Sequence, residues 1–126
     1  MINSQNKGKC FEREVAKFLG KITPTRYYVR VPQSGALGTN LELSNLLGDV
    51  IPKEVLNGTE KQTFIIECKA TKEPIEIQDF FNEKSLLFSY VKQAEKDSLK
   101  LYNKEWYLFV KINRKGLYLI YPQKIN

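Results

Sequence analysis

The sequence predicts an α/β domain, a mixed central sheet flanked by helices. Three observations carry that reading. An amphipathic helical pattern opens the chain over residues 7–20. Short runs rich in β-branched and aromatic residues follow, bounded by glycine, proline and asparagine. A long helical pattern then separates the strand "TFIIECKA" from two further strands near the end of the chain.

Each element has a local justification. In residues 7–20, "KGKCFEREVAKFLG", Phe11, Val15, Phe18 and Leu19 follow helical spacing, and Gly20 is a stop signal. "RYYVRV", residues 26–31, is rich in strand formers, and Pro32 closes it. "PQSGALGTN" reads as a loop with two glycines, and "LELSNLL" as a short helical turn. "GDVI" reads as a short strand with Gly48 before it and Pro52 after it. Asn57-Gly58 is a strong hairpin signal, leading into "TFIIECKA". Pro74 breaks the chain. From about Gln78 to Tyr102 the apolar spacing predicts a long helix, with a break near Asp97-Ser98. "EWYLFVKI" and "GLYLIYP" are two strands joined through "NRKG". No repeat, low-complexity tract or internal linker interrupts residues 1–126, so the expectation is one domain.

Composition narrows the function. A chain of 126 residues with 42% hydrophobic and 27% charged residues is long enough for one core and reads as soluble and globular. No apolar run approaches a membrane span, and the polar start lacks the apolar stretch of a signal peptide, so a cytoplasmic protein without membrane contact is expected. Cys10 and Cys68 match neither a disulfide framework nor a zinc pattern and are expected to be reduced, partly buried thiols. Net charge is +6, and it is uneven. Lys7, Lys9, Arg13, Lys17, Lys21, Arg26 and Arg30 stand against only Glu12 and Glu14 in the first 33 residues. A basic surface favours a polyanionic partner, because phosphate contacts release counterions. There is no histidine, which excludes Ser-His-Asp and Cys-His hydrolases and His-metal enzymes. Catalysis here has to use carboxylates, lysines or hydroxyls.

The stretch "FIIECKAT", Phe64 to Thr71, concentrates the chemistry. Strand side chains alternate, so Phe64, Ile66 and Cys68 face one side and Ile65, Glu67 and Lys69 the other. Buried charges are costly unless they pair or bind an ion. A Glu-x-Lys triplet is usually a surface ion pair. The apolar lead-in here, and Gly48-Asp49-Val50 on a preceding strand, shift the reading towards a site. An antiparallel pair of 49–51 with 63–69 brings Asp49 towards Glu67. Two adjacent carboxylates repel, and a hard divalent cation such as Mg²⁺ or Mn²⁺ relieves that repulsion. The Cys68 backbone carbonyl is a candidate third ligand. Lys69 beside the metal can orient or help deprotonate a water and counter phosphate charge. That apparatus suits phosphodiester hydrolysis.

Asp49 followed by Glu67-Cys68-Lys69 resembles the PD-(D/E)XK nuclease core, and within it the archaeal-type Holliday junction resolvases. "KGKCFERE" (Lys7 to Glu14) is similar to that family's lysine-glycine and Glu-Arg-Glu on the first helix, and "RVPQSG" (Arg30 to Gly35) to its Arg-x-x-x-Ser-Gly segment. The resemblance covers roughly residues 5–121. It implies a restriction-endonuclease-like core with Mg²⁺, or Mn²⁺ in substitution. It implies Glu12 as a carboxylate completing the metal site with Asp49, Glu67 and the Cys68 carbonyl. Lys69 is implied as the catalytic lysine and Ser34 as a hydroxyl near the scissile phosphate. Arg13 and Arg30 are implied to contact phosphates or to support the site, and Lys7 and Lys9, before the first helix, are candidate DNA contacts or solubilising charges. It further implies a homodimer that cuts branched double-stranded DNA to leave 5′-phosphates; no motif identifies the interface, for which an apolar face on the long helix or the last strands is a candidate. Two features depart from the resolvase pattern: "GALGTNLELSNLLG" is a longer connection, and Gly48 replaces the proline of the superfamily name. Glu42 remains an alternative ligand to Asp49. A nicking or restriction-like endonuclease and a non-cleaving nucleic-acid-binding module remain alternative functions.

Overall fold

The structure, a computed structural model, describes residues 4–32, 46–101 and 105–123, and of residues 4–7 and 77 the backbone alone. Helix α1 runs Ser4–Ile22. Phe11 and Val15 are buried one turn apart, and half-buried Leu19 continues the same stripe. Strands β1 (Tyr28–Arg30) and β2 (Val50–Pro52) are short. A single helical turn, α2 (Lys53–Leu56), leads to β3 (Phe64–Thr71). A 3₁₀ helix at Ile77–Phe81 precedes α2's longer successor, α3 (Leu86–Ser98). Strands β4 (Glu105–Ile112) and β5 (Gly116–Ile120) close the chain.

The strands form one mixed sheet in the order β1-β2-β3-β4-β5. Every pairing is antiparallel except β3 with β4, which is parallel. That pairing needs a crossover, and α3 supplies it. Ile65, Trp106, Leu108 and Val110 pack against Leu87, Val91 and Ala94 of α3 on one face. Val50, Ile66 and Phe109 pack against Phe11 and Val15 of α1 on the other. β3 is therefore covered on both faces, which is why its first half reads as an unbroken apolar run. The α/β expectation is met.

Several local expectations are corrected. The helical pattern from Gln78 to Tyr102 is split, and the split falls at residues 82–85, not at Asp97-Ser98. Ser85 causes it: its hydroxyl accepts from the Phe88 N–H at 3.1 Å and donates to the Asp79 carbonyl at 2.6 Å, so a new helix starts there. Asp97 and Ser98 instead end α3. Asn57-Gly58 does not make a two-residue hairpin. It ends α2, with the Asn57 N–H bonded to the Lys53 carbonyl and Gly58 at φ +80°. β2 and β3 are antiparallel as expected, but through that helical turn. The short strand begins at Val50, leaving Gly48 and Asp49 in a bend before it. Most of the loop beyond Pro32, and residues 41–45 of the expected turn "LELSNLL", lie outside the described residues, while Leu46 and Leu47 are not helical. Among the described residues no helix is long and apolar enough to cross a membrane.

Candidate active site

The site is built where β2 leaves β3. Gly48 adopts φ +82°, and a Cβ there would lie 2.7 Å from the Ile66 carbonyl oxygen and 2.9 Å from Ile65 Cγ2. Only glycine lets the chain pass β3 this closely. The preceding residue is held by Gln62, whose side-chain amide accepts from the Leu47 N–H at 3.0 Å and donates to the Leu47 carbonyl at 2.8 Å. Asp49 is then tied from three directions. Its N–H donates to the Ile66 carbonyl, its carbonyl accepts from the Val31 N–H, and its Oδ2 accepts from the Cys68 N–H, each at 2.8 Å. A carboxylate held by its own backbone and by a strand amide has little freedom left.

The same contacts orient the neighbouring strand. The Cys68 N–H points to the β2 edge of β3, beyond the Val50–Ile66 pair. In an extended strand a residue's carbonyl lies on the edge of its N–H, so the Cys68 carbonyl also faces that side and not the β4 ladder. The Cys68 side chain packs with the α1 core, as alternation predicts, and burial pushes its thiol pKa up. Cys10, expected to be partly buried, is exposed, because its position on α1 turns it away from the sheet.

Glu67 projects to the α3 face and is only 5% exposed. It lies within hydrogen-bonding reach of both Asp49 and Asp97. Burial, then the negative charge of Asp49, then hydrogen bonds to Asp49 and Asp97 push its pKa up to about 8, against a smaller lowering by Lys69. Lys69, next along the same face, sits with its ammonium 5.6 Å from the Tyr90 ring centroid. Tyr90 lies near Thr71, which lowers its pKa, but desolvation by burial is the larger influence and raises it.

Glu12 approaches from α1. Its Oε2 accepts from Arg30 Nε at 3.1 Å, with both side chains largely buried. Burial raises the Glu12 pKa, the Arg30 hydrogen bond opposes this, and the charge of Asp49 adds to the rise. Lys9 also lies close enough to act on Glu12. Arg13 is exposed on α1. Glu14 makes a surface pair with Lys111, 3.1 Å apart.

The structure thus brings Asp49, Glu67, Lys69 and the Cys68 carbonyl together, with Glu12, Arg30 and Lys9 beside them. Ser34, Glu42 and the side chain of Lys7 lie outside the described residues. Asp97 was not anticipated. It lies three residues after buried Ala94, on the inner side of α3, and a helical-wheel reading would have found a carboxylate there. Among the described residues no three Asp, Glu, Cys or His side chains converge closely enough to hold a metal. The fit to a hard divalent cation rests on fewer side chains: Asp49, buried Glu67 and a free-edge carbonyl are all oxygen donors, and the charge of Asp49 opposes the ionisation of Glu67.

A mixed sheet with one helix on each face, and an acidic pair plus lysine where two strands part, defines a restriction-endonuclease-like core. Comparison with known families agrees. The family described as "Phage putative PDDEXK endonuclease" matches residues 3–126, and the chain belongs to it. It is therefore a PD-(D/E)XK nuclease, from a superfamily that generally uses divalent metals. The match does not single out the archaeal-type resolvases. No curated protein and no solved structure matches the chain.

Proposed function

We propose that the protein is a Mg²⁺-dependent DNA endonuclease selective for branched duplex DNA, acting in the cytoplasm as a resolvase-like enzyme. The observation that supports it most is Asp49, pinned against β3 by the Cys68 N–H and standing beside buried Glu67. Asp49, Glu67 and the Cys68 carbonyl would hold the cation, with Glu12 completing the acidic site from α1. A bound divalent cation supplies an acidified water and neutralises phosphate charge.

The protein's own residues do the rest. Lys69 emerges on the same face as Glu67, where it can orient or deprotonate the attacking water and oppose charge on the phosphate. Tyr90 limits where that ammonium can go. In this reading water oxygen bonds to phosphorus, the bond from phosphorus to the 3′ oxygen breaks, and the products are a 3′-hydroxyl and a 5′-phosphate. Ser34 is assigned a place near the scissile phosphate. Lys7, Lys9 and Arg13 are assigned to the DNA backbone, where contacts position the duplex without reading sequence. Arg30, engaged by Glu12, supports the site by holding that carboxylate and leaves direct phosphate contact to the others.

The test is cleavage of a labelled four-way junction beside matched linear duplex, with Mg²⁺ and with Mn²⁺, by wild type and by Glu67→Gln. Paired nicks in the junction alone, lost in the variant while binding persists, support the proposal. Equal cutting of linear duplex removes the branched-DNA selectivity and leaves a nicking or restriction-like endonuclease. Binding by both proteins with cleavage by neither leaves a nucleic-acid-binding module.

A further inference from the structure

Lys69 is half-buried and carries its charge on the face of β3 that α3 covers. An ammonium taken partly out of water ordinarily pairs with a carboxylate. One stands two residues away on the same face, at Glu67. Yet among the described residues Lys69 forms no salt bridge. Its Nζ lies instead 5.6 Å from the centroid of the Tyr90 ring, within the range at which a ring face attracts a cation.

The ring is itself fixed. Tyr90 precedes buried Val91 by one residue and buried Ala94 by four, and it packs against the core that includes Ile65, Leu87 and Ala94. It also lies near Thr71, which is buried and whose hydroxyl accepts from the Glu73 N–H at 3.0 Å. α3 runs back along β3. Asp97, near the end of the helix, reaches Glu67, and Tyr90, two turns earlier, reaches Lys69. Seven helical residues rise about 10.5 Å and two strand residues about 6.6 Å, a difference the long lysine side chain spans. Packing alone would be served by leucine or methionine at this position. Only an aromatic ring adds a negative face for the ammonium to lie against.

We infer that Tyr90 is a positioning residue: its ring face holds the Lys69 ammonium away from Glu67, which leaves the carboxyl open to the cation and the lysine directed at the attacking water and the phosphate. Without the ring, Lys69 and Glu67 are free to pair directly along the strand, and that pair would take up an oxygen donor and the lysine together. The inference rests on the proposed role of Lys69 in cleavage and adds to it the side chain that keeps the lysine in place.

Two independent measurements test it. In the metal-free protein, NMR reads the ε-methylene protons of Lys69, which lie under the ring and are shielded by it. They are expected upfield of those of exposed lysines in wild type and in Tyr90→Phe, and at the ordinary position in Tyr90→Leu. An unshifted signal in wild type overturns the inference without recourse to any variant. The second measurement is cleavage of labelled four-way junction and linear duplex with Mg²⁺. A half-buried cation–π contact biases the lysine by a factor of about 5 to 30. Tyr90→Leu and Tyr90→trifluorophenylalanine, whose ring keeps its shape and loses its negative face, are expected to lower kcat by that factor with KM unchanged. Tyr90→Phe keeps the face and is expected to stay within about threefold of wild type. Equal kcat for the phenylalanine and trifluorophenylalanine variants means that the ring only packs, and overturns the inference while the nuclease reading stands. Wild type that cuts neither substrate, or Lys69→Met that cuts at the wild-type rate, removes the role of Lys69 itself, and the inference falls with it.

Discussion

Replacing Glu67 by glutamine in the metal-free protein is expected to stabilise it, by an amount that grows with pH. The Glu67 pKa rises from its ordinary 4.5 to about 8 on folding, because the carboxyl is buried and faces Asp49. Between those values the folded protein holds a proton that the unfolded chain has released. The stability from protonated Glu67 is therefore complete below about pH 4.5, falls as pH rises, and is gone above about pH 8. The slope is about 1.4 kcal/mol per pH unit, and over this window the loss comes to roughly 5 kcal/mol. That is comparable with the whole stability of a small domain. Glutamine cannot ionise, and its amide can donate to both Asp49 and Asp97. The assay is chemical denaturation of wild type and Glu67→Gln with chelator present, from pH 5 to 9. Titrating groups that do not interact with Glu67 cancel in the difference between the two proteins. The difference is expected to widen in favour of the variant up to about pH 8 and then level off. A difference that stays flat from pH 5 to 8 refutes a neutral, buried Glu67. A divalent cation should reverse the order, since it stabilises only the ionised pair.

Three other outcomes are expected. Gly48→Ala should cost about 2–4 kcal/mol in denaturation and abolish cleavage, since a left-handed alanine with its Cβ against the Ile66 carbonyl must push Asp49 off β3. In a double-mutant cycle with Glu12→Gln and Arg30→Met, the largely buried pair should show a coupling of about 1–2 kcal/mol, and additive single effects would mean the contact is not made in solution. A thiol reagent should modify exposed Cys10 quickly in native protein and Cys68 only on unfolding, because burial holds the Cys68 thiol protonated; two thiols reacting at one rate would contradict its place in the core.

Much of this protein is settled by local pattern. β3 is legible because burial on both faces demands consecutive apolar residues, so a glutamate and a lysine at its end stand out. The two-residue period of a strand puts Glu67 and Lys69 on one side without further information. The amphipathic spacing of α1 and the two terminal strands are read the same way. Tertiary structure decided what lies far apart in the chain. Phe80 and Leu86 share one apolar periodicity, yet a hydroxyl hydrogen bond at Ser85 starts a new helix between them. Asp97 belongs to the inner stripe of α3, but only the crossover onto β3 sets it beside Glu67. Arg30, a free cation in the sequence, is claimed by Glu12 because α1 packs over the end of β1. The sequence by itself determined which side chains leave which face, since that follows from backbone periodicity. Which of them meet, and which carboxyl must keep its proton, depends on distance and burial, and those exist only once helices and sheet have packed.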